Sequence, residues 1–378
     1  MNGTAEVRLA RPDETAQVID FINMVFSVDH EPHNFKKLLP KAYADDACTP
    51  PQHYIAVNNG RIEGCVGLLP VDMTVMGEKL RCGIVGSVSV HPYARGSGYM
   101  KACMNAMLKA AEEQELQLIY LGGKRQRYEY FGFSQGGIGM TFDLIEGNFA
   151  HGFFGACPEG ITFAPIDPYI SESSALYDSQ TVHAQRKVQD FGMIAKSWIS
   201  EARAILRNGA FIGYLIVNGR HITELALLDE ADAFHVLPAW YKACGEKAVS
   251  LSVPVWNRQR VRTFSKEAQR ATVHTLDMFR LQDIETNLRL WLRLKASYTR
   301  LPDGETVLEL NGERLRISVK DNKVCVEKTQ DEPEGVFDRL EAQDLLLAGS
   351  RWVDTDGLPA CTEAWFPLPV SVLSADGY

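Results

Sequence analysis

Residues 84–90, Ile-Val-Gly-Ser-Val-Ser-Val, form an apolar, β-branched run that ends before Pro92, and a basic glycine turn, Arg95-Gly96-Ser97-Gly98, follows. A helical pattern begins at once, with apolar side chains at Met100, Cys103, Met104, Met107 and Leu108. Strand, glycine turn and helix start, in that order, demand a βα unit whose helix N-terminus lies open. Small residues let backbone N–H groups approach an anion closely, and the helix dipole adds favourable charge there. The pattern predicts a site for a phosphorylated cofactor.

The flanking periodicities set the organisation. A short strand is expected over residues 6–10, and a helix from Asp13, its N-cap, to Phe26. Residues 53–57 and 61–69 read as a hairpin around Asn58-Asn59-Gly60, a second pair surrounds Gly77, and residues 116–121 read as a strand. This order fits a compact α/β domain ending near residue 145. Residues 146–165, rich in Gly, Phe and Pro, suit a linker. Strands over 204–217 and 221–228, a helix over 230–243 and a strand over 248–253 then make a second α/β unit. From Met278 a helix over 284–296, three alternating strands over 305–310, 314–320 and 324–328, and a helix over 341–347 make a third. At 378 residues the chain exceeds one ordinary core. The expected divisions are 1–145, 146–277 and 278–378.

Composition narrows the partners. A net charge of -9 disfavours nucleic acid and mildly favours cationic partners such as amines. The eight cysteines are scattered with no C-x-x-C pair, which points to a reducing cytoplasm. The N-terminus lacks the apolar stretch of a signal peptide, and no apolar run reaches the roughly 18 residues of a membrane span. Asp29-His30-Glu31-Pro32-His33 lacks a ligand spacing, so no metal is expected.

Neither G-x-x-x-x-G-K-[ST] nor G-x-G-x-x-G occurs in the turn region. The strand, Pro92 and the Arg95-x-x-Gly98 spacing instead resemble motif A of the GNAT acyltransferases, whose Arg-x-x-Gly-x-Gly/Ala turn binds the pyrophosphate of acetyl-CoA. The final Gly/Ala is Met100 here, a bulky residue that resembles the Eis-like branch. The three-part layout, with residues 276–283 as the entry to the last part, is similar to that branch as well. The resemblance implies an α/β (α+β) fold: tandem GNAT-like mixed-sheet domains followed by a sterol-carrier-protein-like α+β domain. It also implies acetyl-CoA as co-substrate and a homo-oligomer, a trimer or hexamer.

The resemblance further implies site residues. Val88, Ser89 and Val90 would present backbone groups to the pantetheine arm, as a splayed sheet edge accepts an added strand. Arg95, Gly96, Ser97, Gly98, Tyr99, Met100 and Lys101 would surround the pyrophosphate, and Gly123 and Lys124 would flank the cofactor at the end of the next strand. Transfer to an amine leaves a thiolate of pKa near ~8.5, which a neutral phenol of pKa near ~10 can protonate. Tyr128, in Tyr128-Glu129-Tyr130-Phe131-Gly132-Phe133, stands in the register of that acid, with Tyr130 the neighbouring alternative. Tyr378, the last residue in the sequence, would bring its α-carboxylate to the active site as a base. His91 precedes the turn proline, a position where GNATs carry a non-catalytic histidine. Phe26, Asp29 and Glu31 lie where GNATs form the acceptor pocket, and the two carboxylates would attract a protonated amine. The expected activity is acetyl transfer to a primary amine of a cationic acceptor, aminoglycoside-like or a peptide lysine. The alternative is a non-catalytic protein that binds an apolar ligand in its third part.

Overall fold

Alternating apolar residues and Gly- or Asn-bearing turns produce three sheets in the computed structural model, which describes residues 5–29, 31–151, 160–349, 352–372 and 374–378. The strands of the first third are β1 (Glu6–Leu9), β2 (Gln52–Asn58), β3 (Arg61–Val75), β4 (Glu78–Val90), β5 (Leu118–Leu121) and β6 (Ser134–Gly136). Next come β7 (Gly139–Ile145), β8 (Ile161–Pro165), β9 (Val182–Ala184), β10 (Glu201–Arg207), β11 (Ala210–Asn218), β12 (His221–Leu227), β13 (Ala248–Pro254), β14 (Arg270–His274) and β15 (Asp277–Leu281). The last are β16 (Gly304–Leu310), β17 (Glu313–Lys320), β18 (Lys323–Lys328) and β19 (Gly335–Phe337).

The first sheet runs β1-β2-β3-β4-β5-β15-β6, with β9 added to β3. The second runs β14-β7-β13-β12-β11-β10-β8 and the third β18-β17-β16-β19. Sheets one and two thus exchange strands. Residues 139–145 pair in the second sheet, whereas residues 277–281 lie between β5 and β6 of the first. Tight hairpins form where Asn-Gly supplies two left-handed residues, as at Asn208 (φ 51°) and Gly209 (φ 84°), and again at Asn311 (φ 53°) and Gly312 (φ 82°).

Both faces of the first sheet are covered. The helix Tyr99–Glu113 buries Cys103, Met104 and Met107 against one face with Val66, Leu68 and Val85. The other face, carrying Ile84, Leu118 and Tyr120, shares a core with Leu288 and Trp291 of the helix Ile284–Tyr298, and with Trp365. The third unit is therefore fused to the back of the first sheet, and burial of large apolar side chains holds it there. No helix among the described residues is long and apolar enough to cross a membrane.

Candidate active site

The site begins where two neighbouring strands part. The parallel ladder of β4 and β5 holds Cys82, Gly83 and Ile84 opposite Leu118, Ile119 and Tyr120, and ends there. On its other side β4 slips: Ser89 faces Cys65, but Gly86 faces Gly67, so β4 carries one residue more than β3. A bulge of this kind bends the strand and re-aims the residues beyond it. Ser87 within it has φ 52°, a left-handed conformation costing a non-glycine residue about 1–3 kcal/mol. Beyond Ile84, β4 turns from β5 and offers Val88, Ser89 and Val90 along an open edge. The Ser89 hydroxyl is engaged locally, donating to the Ser87 carbonyl at 3.0 Å, so its backbone is what remains for a ligand.

That edge leads into the glycine turn. Pro92–Ala94 form one 3-10 turn, and the Tyr93 N–H donates to His91 Nδ1 at 3.4 Å, which ties His91 to the turn. Gly96 (φ 84°) and Gly98 (φ 83°) are left-handed, and Gly98 caps the helix Tyr99–Glu113. A Cβ at either would meet nothing within 4 Å, so backbone conformation and open approach, rather than crowding, call for glycine there. A groove of ≈ 680 Å³ is lined by Val88, Ser89, Val90, Arg95, Gly96, Gly98, Tyr99, Met100 and Lys101. Ser97 is exposed and lies outside this lining. Val25, Ala94, Arg127, Tyr130 and Phe131, which sequence reasoning did not place there, also line it, with Lys101 Nζ 4.6 Å from the Tyr130 ring centre.

A second cavity of ≈ 590 Å³ adjoins the groove, since Val88 and Arg127 line both. Tyr128 and Tyr378 meet in it, as do Phe26, Gly123 and Lys124. Gly123 and Lys124 therefore flank this cavity and not the turn. Tyr128 is 5 % exposed, and a Cβ at Gly123 would collide with its ring. Burial pushes its phenol above the usual range, with Arg127 beside it pulling the other way. The hydroxyl is thus neutral near pH 7, the form a proton donor needs. Glu31 is exposed and lines neither cavity, and the side chain of Asp29 lies outside the described residues.

Tyr378 occupies a slot made by two glycines. Gly67 and Gly86 are cross-strand partners, and a Cβ on either would strike the Tyr378 ring. Its hydroxyl lies 2.5 Å from Tyr43 Oη and 3.3 Å from both His53 Nε2 and Ser87 Oγ. Tyr43 Oη in turn lies 2.6 Å from Ser87 Oγ and 3.1 Å from His53 Nε2. Burial depresses the pKa of His53 to about 4, so its imidazole is neutral in this cluster at neutral pH.

Asp376 and Ala375, two and three residues before Tyr378, are tied down by both units. Arg186 donates from Nε and Nη2 to Asp376 at 2.8 and 3.0 Å, and from Nη1 and Nη2 to Glu224 at 3.1 and 2.9 Å. Tyr177 Oη donates to Asp376 at 2.8 Å, and Tyr214 Oη to Glu224 at 2.5 Å. Lys41 Nζ donates to the Ala375 carbonyl at 2.8 Å, and burial lowers its pKa to about 8. Burial alone would raise the Asp376 carboxyl, but Arg186 holds it below the usual range. Arg186 sits in a polar stretch, Gln185-Arg186-Lys187, where no periodicity marks it.

One consequence is a pH dependence. Unfolded His53 takes up its proton near ~6.5 and the folded residue only near 4, so the unfolded chain binds more protons between these values. This contribution is complete above pH ~6.5 and is lost as pH falls toward 4, at most about 3 kcal/mol. Urea unfolding at pH 7.5 and pH 5 is expected to show a steeper acid loss in the native protein than in His53→Gln. Equal slopes would contradict the assignment.

The second sheet repeats the splayed pair but closes it. β12 and β13 are parallel for only His221 and Ile222 opposite Ser250 and Leu251. The turn after β12 is acidic, Asp229-Glu230-Ala231-Asp232, and Asp229 accepts from the Ala231 N–H at 2.9 Å. Buried Arg260 reaches across, donating from Nη1 to the Leu225 carbonyl at 2.7 Å and from Nη2 to Glu230 at 2.9 Å. Carboxylates repel phosphate where the first sheet has Arg95, and the chain's own arginine fills the opening.

Residues 6–136 match the family model of the acetyltransferase (GNAT) domain. A search of the curated proteins by sequence gives no match. Among solved structures the chain is similar to Eis1 from Mycobacterium abscessus, with 14% identity, 99% of this chain and 100% of that one covered, and a TM-score of 0.67. It is similar to a conserved protein from Enterococcus faecalis V583, with 15% identity, 91% and 90% covered, and a TM-score of 0.65. A GCN5-related N-acetyltransferase from Kribbella flavida shares 14% identity over 96% and 95%, with a TM-score of 0.64. These likenesses show a tandem GNAT-like mixed α/β fold. The first unit is a GNAT acetyltransferase domain, which makes the chain an acyltransferase.

Proposed function

We propose that this chain, an acyltransferase by its GNAT domain, moves the acetyl group of acetyl-CoA directly to a primary amine. The observation that carries this reading is the pair of adjoining cavities: one lies on the glycine turn, the other holds Tyr128 and Tyr378, and Val88 and Arg127 join them. Arg95, Lys101 and the N–H groups of the turn would hold the pyrophosphate, and the open edge of β4 would pair with the pantetheine arm. The thioester then lies at the passage to the second cavity. The amine lone pair attacks the thioester carbonyl carbon, the C–S bond breaks, and Tyr128 gives its proton to the departing sulfur. The proton lost by the amine goes to the α-carboxylate of Tyr378, directly or through water. The acceptor carries a primary amine that is cationic until it loses its proton. The third unit serves as architecture that carries the chain end across the first sheet. We place the protein in the cytoplasm, in keeping with the seven described cysteines, all free thiols, and as a homo-oligomer on the family resemblance alone.

CoA release measured over a panel of amines tests the reading. Release with at least one amine supports it, and binding of acetyl-CoA without release for any amine overturns it. The base is tested separately by adding one glycine after Tyr378, which moves the carboxylate by about 3.8 Å and leaves the phenol slot intact. The expected result is a fall in kcat of about 10²-fold with the KM for acetyl-CoA unchanged. An unchanged kcat removes the carboxylate from the chemistry.

A further inference from the structure

The wall of the acceptor cavity is aromatic and basic. Phe26, Phe35, Leu39 and Trp198 supply its apolar surface, with Phe26 and Phe35 edge to face at 5.1 Å. Its charged side chains are Lys124 and Arg127, and no Asp or Glu side chain lines it among the described residues. Each additional ammonium of a polycation would lose water here, meet like charge and find no carboxylate beyond the Tyr378 α-carboxylate that the reacting amine uses. An amine with one charge sheds that charge to react, and the rest of such a molecule gains by burying apolar surface.

Trp198 adds a second observation. It comes from the second unit, on a segment that packs against the short helix Phe35–Leu38. Trp198 and Ile199 both have φ 58°, a left-handed conformation in two bulky residues, one of them β-branched. Asn218 Nδ2 donates to the Trp198 carbonyl at 2.7 Å and helps hold that conformation. The strain yields little packing, because the Trp198 side chain stays 37 % exposed at the cavity. Strain that presents a large aromatic ring to a cavity belongs with ligand contact rather than with the core.

We infer that the acceptor is a singly charged primary amine on an aromatic body, and that Trp198 is the residue that selects it by stacking. The inference rests on the acetyl-transfer reading and narrows its acceptor class. Phe26, Phe35 and Trp198 enclose the ring, while the amine points toward Tyr128. A second unit whose own strand pair ends in the acidic turn Asp229-Glu230-Ala231-Asp232 thereby gains a use, as one wall of the first unit's pocket.

The test uses the full chain with acetyl-CoA and three amines: tryptamine, 2-phenylethylamine and spermidine. Both aryl amines are expected to exceed spermidine in kcat/KM by at least about tenfold, since aromatic stacking contributes up to about 1.5 kcal/mol beyond burial. Trp198→Ala is expected to raise the KM for tryptamine by about tenfold with the KM for acetyl-CoA unchanged, and Trp198→Phe to recover most of the loss. Preference for spermidine, or a tryptamine KM indifferent to Trp198→Ala, overturns the acceptor class and leaves acetyl transfer standing. CoA release with none of the three amines, but with another class, does the same. Release with no amine of any class overturns acetyl transfer itself.

Discussion

Tyr128→Phe is expected to lower kcat by about 10²- to 10³-fold, with the KM for acetyl-CoA nearly unchanged. The substitution removes one oxygen from a ring that is buried against Gly123 and packed near Phe133, so the fold has no reason to change. On the proposed acetyl-transfer reading, what it removes is the proton for the leaving sulfur. Burial keeps that phenol protonated through neutral pH, and Arg127 sits beside it where a transient phenolate would need charge. The loss is therefore expected to depend on the leaving group. An acyl donor whose thiol has a pKa well below ~8.5 leaves without help, so the defect should shrink with such a donor. A defect equal for both donors would count against proton donation and for a packing role. Tyr130→Phe is the control: that side chain is 64 % exposed and lines the groove of the glycine turn, so kcat should hold.

Arg186→Met is expected to cost about 3–5 kcal/mol of folding stability and to lower activity as well. The guanidinium is fully buried and satisfies two carboxylates, Glu224 at 2.9 Å and Asp376 at 2.8 Å, while lying 3.7 Å from the Tyr177 ring centre. Its removal leaves two buried anions facing each other with only hydroxyl donors. That uncompensated charge is the source of the loss, rather than the strength of the pair itself. The triple variant Arg186→Met, Glu224→Gln, Asp376→Asn should accordingly recover much of the stability. Its activity should recover less, because Asp376 no longer holds the two residues that end in Tyr378. Denaturant unfolding and steady-state rates on the same samples separate the two effects. A triple variant no more stable than the single one would refute the charge argument.

The local parts of this protein are written in its sequence. The glycine turn is legible because Gly96 and Gly98 need a left-handed backbone, and the need shows wherever the chain is read. Hairpins at Asn-Gly pairs, the amphipathic helices Tyr99–Glu113 and Ile284–Tyr298, and the strands around them follow from period and turn chemistry alone. The expected helix from Asp13 begins at Thr15, after a 3-10 turn at Pro12–Glu14. Tyr128 is legible only through the register of the family motif, in Tyr128-Glu129-Tyr130-Phe131-Gly132-Phe133.

What stayed hidden depends on partners far away in the chain. Residues 139–145 and 277–281 carry no strand expectation, residues 277–281 lack alternation altogether, and only packing decides which sheet takes which strand. Gly67 and Gly86 look like ordinary strand glycines until register sets them opposite each other and a tyrosine from the far end of the chain fills the gap. Arg186 and Trp198 carry no periodic signal, because each is defined by partners distant in the chain and not by a repeated face. Sequence determined the glycine turn, where one residue type answers one backbone angle. Tertiary structure decided the cavity shared by Tyr128 and Tyr378 and the anchor at Asp376, where the chain must fold before its residues have neighbours.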